Sequence, residues 1–446
     1  QTLSGHSFLL SNVMKANYKK KNGGVADLEW KASFADKRGV LNVSETKMSQ
    51  LLRQRNFQSE ATGSLLAFTI PHLMFNLNGK VMFDWQRVSA GLNSLSDASG
   101  SEQKTWLLGA FVSPKILLHF GNRLQWLVYV PVGVKYYHSA DGSLDYDKRF
   151  FSTCPYSNLT YKPTGRLSFD LTTICEESMP SVLSQMVLKH YVNYRTTMSN
   201  PHQVEIAPNR SVKLAFTSSY KDIIKMLFGG VTLSYVDARN GNSMGYQVVD
   251  DVVNYIVQPQ STKNRVWQIE QTVAKGFFRW NSKISESLSI GTSRSEYYVG
   301  GDCHDGRSDY LQAKISYVAS VRKWLNLSIS NDYSVSKPYT DGKASGEVYR
   351  TFMNASSFTF WLGKQLNVVP SVQYYHNNYF SSGRNNVFLN TVMEYYWGNA
   401  TLSLKCTNLL DSRTFHRIID NGITRYSGEY QLRGRTILFG IRIKII

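Results

Sequence analysis

Leu432-Arg433-Gly434-Arg435-Thr436-Ile437-Leu438-Phe439-Gly440-Ile441-Arg442-Ile443-Lys444-Ile445-Ile446 is the stretch whose reading decides the fold. Ile437, Phe439, Ile441, Ile443 and Ile445 alternate with Gly440, Arg442 and Lys444; only Leu438 breaks the pattern. Successive side chains of a strand point to opposite faces. One face is therefore oily, and the other carries two cations to water. An unpaired strand edge invites aggregation, so a strand like this needs a partner. The reading that satisfies both demands is a strand closing a transmembrane β-barrel. Ile437, Phe439, Ile441, Ile443 and Ile445 then face lipid, and Arg442 and Lys444 face the lumen.

The composition fits a barrel. The chain has 446 residues, 42% hydrophobic and 18% charged, with 27 Tyr, 22 Phe and 9 Trp. Low charge, many aromatics and moderate hydropathy suit strands of which half face a wet interior. No run approaches the roughly 18 consecutive apolar residues of a membrane helix. Closed barrels satisfy every backbone group in lipid without one. The start, Gln1-Thr2-Leu3-Ser4, has no charged n-region and apolar h-region. The expectation is a removed signal peptide or a piece of a longer chain.

The net charge of +18, from 50 Lys and Arg against 32 Asp and Glu, would suggest nucleic acid in a cytosolic protein. Here the cations sit singly along strands, as Lys135, Lys213 and Lys314 do. No nucleic-acid partner is expected. A basic lumen and contacts to anionic lipid phosphates account for the charge.

Periodicity carries the architecture. Short turn signals recur at 222–226, Trp280-Asn281, Arg322-Lys323, Gly363-Lys364 and Gly398-Asn399, with longer polar loops between them. Leu325, Leu327 and Ile329 alternate with Asn326, Ser328 and Ser330, and similar series run from Ala26-Asp27-Leu28 onward. Trp280, Trp324, Trp361 and Trp397 sit beside short turns, as an aromatic girdle would. This gives about 19 antiparallel strands of an up-and-down barrel. Loops are expected over 35–60, 176–210, 239–264, 295–308, 335–349 and 408–430. Pro370 lies within a strand and implies a bulge. Cys154 and Cys175 flank a hairpin; a cross-strand disulfide and free thiols both remain open.

Three local features carry a family resemblance. Thr407-Asn408-Leu409-Leu410-Asp411 follows a strand. Pro180-Ser181 and Asn200-Pro201 precede a strand ending Tyr220-Lys221-Asp222. The terminal amphipathic strand is the third. Together they resemble the C-terminal barrel portion of TonB-dependent outer-membrane receptors of the Bacteroidota type. The resemblance implies a barrel of about 22 strands with a filled lumen. The plug domain and first strands would then precede residues 1–446, all of which are barrel. It also implies an outer-membrane location in a Gram-negative cell, with the C-terminus periplasmic. Implied partners are outer-membrane lipid and lipopolysaccharide, the TonB complex where a plug exists, and a surface lipoprotein. One departure is the final Ile446, where the family usually ends in an aromatic.

No catalytic or metal motif is present: there is no GxSxG, HExxH, Walker loop or GxGxxG. The chain is expected not to be an enzyme, and no cofactor or metal is expected. Asp250-Asp251 could be half of a calcium site but has no third acid near it in sequence. Loop aromatics are the candidate substrate contacts: Tyr191, Tyr194, Tyr246, Tyr255, Tyr379 and Phe380. Each could equally be an interface anchor. The leading function is a receptor barrel for TonB-driven import of a nutrient ligand. A plug-free porin or a surface scaffold with a lipoprotein partner is the alternative, and a secreted soluble β-protein is a third.

Overall fold

The computed structural model describes residues 2–19, 25–43, 48–93, 98–141, 145–187, 189–193, 196–249, 252–379, 384–420 and 425–444. Among them there are strands and two short 3-10 turns, with no α-helix. One continuous sheet, antiparallel along the whole wall, contains nearly every strand, and a separate hairpin pairs Thr414–Asp420 with Arg425–Gln431. No helix is long and apolar enough to cross a membrane.

The wall runs in chain order, each strand hydrogen-bonded to the next. It begins Thr2–Lys19, Val25–Val43, Met48–Ile70 and ends Asn385–Trp397, Ala400–Thr407, Thr436–Ile443. Two of its strands are broken once by proline, at Pro131 and Pro155, and continue in line on the far side. With each of those counted once, the described wall has 19 strands. The fold is an all-β antiparallel barrel. Thr2–Lys19 pairs with one neighbour, Val25–Val43, and Thr436–Ile443 with one neighbour, Ala400–Thr407. No pairing joins the two end strands among the described residues.

Because side chains alternate, the register sorts the wall into two faces. Leu233, Ile269, Ile290, Leu311 and Val335 occupy one row across five strands. Ser234, Gln268, Ser289 or Gln312 follows or precedes them on the opposite face. The same apolar face carries Leu404, opposite Phe439, and Leu402, opposite Ile441.

The turns on one side are short, as the spacing predicts. The other side differs from expectation. The interval 35–60 is mostly strand, with Val25–Val43 and Met48–Ile70 paired residue for residue. Polar alternation there reads as loop, yet Asp36 bonds Arg53 across the pair and keeps the ladder going. The interval 295–308 is likewise a tight turn, because Gly300 (φ 59°) and Gly301 (φ 102°) adopt backbone angles that L-residues avoid. Pro370 creates no bulge. The register is the same on either side of it, and only the ladder positions around 369 and 370 are missing toward Tyr349–Leu362. Register shifts occur instead at Leu66/Phe68 and Ser320/Arg322. All four cysteines are free, so the Cys154–Cys175 disulfide is not formed.

One seam interrupts the wall. Tyr156–Tyr161 pairs with Leu167–Ser178, but Asp145–Thr153 pairs only with Val132–Ala140. Past the Cys154-Pro155 break, ion pairs replace the ladder. Lys135 Nζ lies 2.7 Å from Glu177 Oε1, and Arg210 Nε donates to Glu177 Oε2 at 2.8 Å. Lys148 reaches Glu205 at 2.5 Å.

Candidate ligand-binding site

The segment between Leu167–Ser178 and Asn209–Asp222 folds back onto the polar face of the wall. Ser181 starts it: its hydroxyl accepts from the Leu183 N–H and caps the turn Val182–Gln185. Val182 and Met186 are buried against Val88, with Leu52 and Ala90 beside them. Gln185 anchors the turn, its Oε1 accepting from Tyr137 at 2.5 Å and from Ser139 at 3.0 Å. Asn200 then closes the return. Its side chain accepts from Val204 N and donates to Val204 O, and its N–H donates to Met186 O. The Pro180-Ser181 and Asn200-Pro201 pairs thus shape this segment.

A small sheet forms above it. His190–Asn193 pairs antiparallel with Thr196–Ser199, which pairs parallel with Val252–Gln258. Val252–Gln258 pairs with Ser243–Val249, whose Gly245 and Tyr246 join the wall strand Ser282–Val299. Thr197 Oγ1 donates to Asn254 Oδ1 at 2.6 Å. The expected loop 239–264 is therefore mostly strand, and His190–Asn193 and Thr196–Ser199 of the expected loop 176–210 join it in one sheet.

Between this sheet and the wall lies a cleft of about 520 Å³. Leu183, Val192 and Met198 give it an apolar floor. Three tyrosines line one side: the Tyr246 ring lies 6.5 Å from Tyr255 and 6.4 Å from Tyr297, the latter stacked at 21°. Burial, with the Tyr297 phenol beside it, pushes the Tyr246 hydroxyl above its ordinary value, so it remains a neutral donor. Ser243 is 2% exposed and lines the cleft, and its hydroxyl has no partner among the described residues. Glu296 supplies the one carboxylate of the lining, and its Oε2 accepts from Lys263 N at 2.9 Å.

Of the sequence candidates, Tyr246 and Tyr255 come together in this cleft. Tyr191 lies beside it, held by paired bonds between its backbone and the Gln50 amide at 2.8 and 2.7 Å. Tyr379 sits elsewhere, stacked on Tyr349 at 4.5 Å and 8°. Tyr194, Phe380, Asp250 and Asp251 lie outside the described residues, as does Ile445. Tyr297 and Ser243 escape the sequence reading. Tyr297 sits at the end of a wall strand, and nothing local distinguishes Ser243. No cluster of metal-ligating side chains occurs among the described residues.

No family model matches the sequence, and no curated protein matches it. Solved structures do. The copper transporter OprC aligns over 98% of this chain and 80% of its own, at 10% identity and a TM-score of 0.51. The ferric citrate transporter FecA, unliganded, aligns over 98% and 61%, at 11% identity and a TM-score of 0.59. A chain of the FpvAI–pyocin S2 complex aligns over 97% and 54%, at 9% identity and a TM-score of 0.51. The chain thus spans less than two thirds of the last two. What these likenesses show is the fold: the chain shares the many-stranded β-barrel of these proteins.

Proposed function

We propose that this chain is the barrel portion of an outer-membrane import receptor, driven by TonB and capturing a nutrient ligand from outside the cell. The observation that carries the reading is the ordered loop sheet packed over a wide barrel wall, enclosing a tyrosine-lined cleft at the loop end. A passive pore gains nothing from an enclosed pocket of buried polar groups, whereas a receptor needs one for capture. The tyrosines offer flat apolar surface, and the Ser243 and Tyr246 hydroxyls offer bonds that fix orientation. A ligand with an apolar or ring-shaped body and polar substituents suits that lining.

On this reading the rows containing Ile437, Phe439, Ile441 and Ile443 face lipid, and Arg442 faces the lumen. The supporting register places Arg442 opposite Thr401, on the face that carries Ser403 and Lys405. The short turns are then periplasmic. A plug preceding residue 1 would fill the lumen, and a surface lipoprotein would cover the loop sheet.

The test is electrical. Protein isolated from outer membranes is placed in planar bilayers, before and after brief urea treatment. An occluded import receptor gives no steady conductance until a plug is unfolded. A large ohmic conductance from untreated protein overturns the reading in favour of an open porin.

A further inference from the structure

The apolar face of the wall carries a carboxylate at mid-height. Trp280 stands at a short turn and Trp267 in the row of Thr292, 61% and 59% exposed, as the two ends of an aromatic frame. Between them the strand Ser282–Val299 sets Ile284, Glu286, Leu288 and Ile290 on the apolar face. Glu286 is six residues from Trp280 and six from Thr292. Those twelve residues of tilted strand rise about 29 Å, the thickness of a hydrocarbon layer. Glu286 therefore stands at its middle.

Asp36, Glu102, Asp237 and Asp309 share this face, but they lie at or beyond the rows of Phe34, Trp106, Tyr235 and Trp267, toward the loops. Each has an arginine partner: Arg53, Arg87, Arg265 and Arg307 in turn. Glu286 is exposed and makes no ion pair with a described residue. Its cross-strand neighbours are Val273 and Ile315. Lys275, diagonal to it on the same face, donates to the Lys225 carbonyl instead. The row that holds Glu286 continues into amides: Ile315 lies opposite Asn331, and Asn331 opposite Asn354. Asn354 Nδ2 donates to Asn331 Oδ1 at 2.7 Å, and Ser356 Oγ donates to Asn354 Oδ1 at 3.0 Å. Both amide oxygens are thereby used, while Asn331 Nδ2 has no acceptor among the described residues. A carboxyl group and an amide donor left without partners are costly in hydrocarbon.

The row is self-complementary. The acceptor, Glu286, stands on one side of Ile315 and the donor, Asn331, on the other, roughly 10 Å apart. A twofold axis along the membrane normal beside Ile315 would bring Glu286 of each copy to Asn331 of the other, which is the symmetry of an isologous contact. We infer that this face is an interface, within the membrane, with a second copy of this chain. Glu286 of one copy bonds the Asn331 amide of the other, and Ile284, Leu288 and Ile315 pack around the pair. The inference goes beyond ligand capture and rests on the outer-membrane reading of the barrel.

The full chain is taken from outer membranes in polymer-bounded membrane discs, and the copies per disc are counted by native mass spectrometry. The wild type is expected to give two. E286L and N331L/N354L should each weaken pairing by roughly tenfold or more, the worth of two membrane hydrogen bonds lost per pair. Both variants place apolar side chains against lipid, so each should still assemble into a heat-modifiable barrel. E270Q, on the opposite face of the neighbouring strand, should pair as the wild type does. One copy per disc for the wild type, a different protein as the second member, or pairing by E286L and N331L/N354L equal to that of the wild type overturns the inference while leaving the barrel in its membrane. A chain absent from the outer-membrane fraction overturns the underlying reading instead.

Discussion

Lys135 Nζ and Glu177 Oε1 are 2.7 Å apart, with 8% and 1% of their side chains exposed, where the strand ladder has opened. Glu177 pairs with Arg210 on one side of its strand and has an ion pair in place of a ladder partner on the other. It joins Lys135, on one side of the break, to Arg210, on the other. Taking one partner from a buried pair strands the other charge. Lys135→Met should therefore cost about 3 kcal/mol in urea unfolding followed by tryptophan fluorescence. Arg210 is 58% exposed at its side chain, so Arg210→Gln should cost less than about 1 kcal/mol. Equal effects of the two would mean that the seam is not held by the buried pair.

The terminal strand offers a test of the two faces. A cation on the lipid face of a barrel costs about 2–4 kcal/mol near the bilayer centre. Ile441→Arg should lower the fraction of chain that assembles into a heat-modifiable barrel on gels. Leu438 lies opposite Lys405 on the other face. Leu438→Arg adds a repulsion of about 1 kcal/mol in a wet lumen and should assemble almost normally. If Leu438→Arg fails and Ile441→Arg succeeds, the faces are reversed.

The architecture was legible because alternation is a local property. Leu325-Asn326-Leu327-Ser328-Ile329 reads as a half-polar strand without knowledge of its partners, and the turns at 363 and 398 are marked by glycines with φ 72° and 56°. What needed distant partners was not legible. Asp36 and Arg53 look like loop charges until their strands are paired. The seam at Cys154-Pro155 depends on Lys135 and Arg210, which lie 42 and 33 residues from Glu177. The cleft was half legible. Tyr246 and Tyr255 face each other across one hairpin, but Tyr297 arrives through two parallel bridges to a wall strand, which no local pattern announces.

Asn408 shows what its motif does. It has φ 54°, is 8% exposed, and bonds the next loop at three points: it accepts from Ser412 N and donates to Ser412 O and Arg433 O. Asn408→Ala loses those bonds and leaves buried partners unsatisfied, a loss of about 2–3 kcal/mol. Asn408→Gly loses the same bonds but tolerates the left-handed backbone, and should be the milder by about 1 kcal/mol. Thermal melts of the two variants in detergent give the comparison. Alanine milder than glycine would show that the backbone angle is not under strain.

Asp411, in the same motif, ties the loop to the final strand. Its Oδ1 accepts from Arg435 N at 2.9 Å and its Oδ2 from Arg413 Nη2 at 2.9 Å. The Arg435 N–H first, then the Arg413 guanidinium, hold its carboxyl below the usual aspartate value. A carboxyl depressed in the folded state stabilises that state above its unfolded value, and the contribution disappears as pH falls through the folded one. The tie should therefore be complete above a pH of about 4 and lost in stronger acid. Amide hydrogen exchange at Leu432–Thr436, corrected for intrinsic rates, should lose protection over that acid range. Asp411→Asn keeps one acceptor and a residue suited to φ 56° but cannot titrate there, so its protection should be lower at neutral pH and flat into acid. The same acid-induced loss in Asp411→Asn would assign the titration to another group and remove Asp411 from the tie.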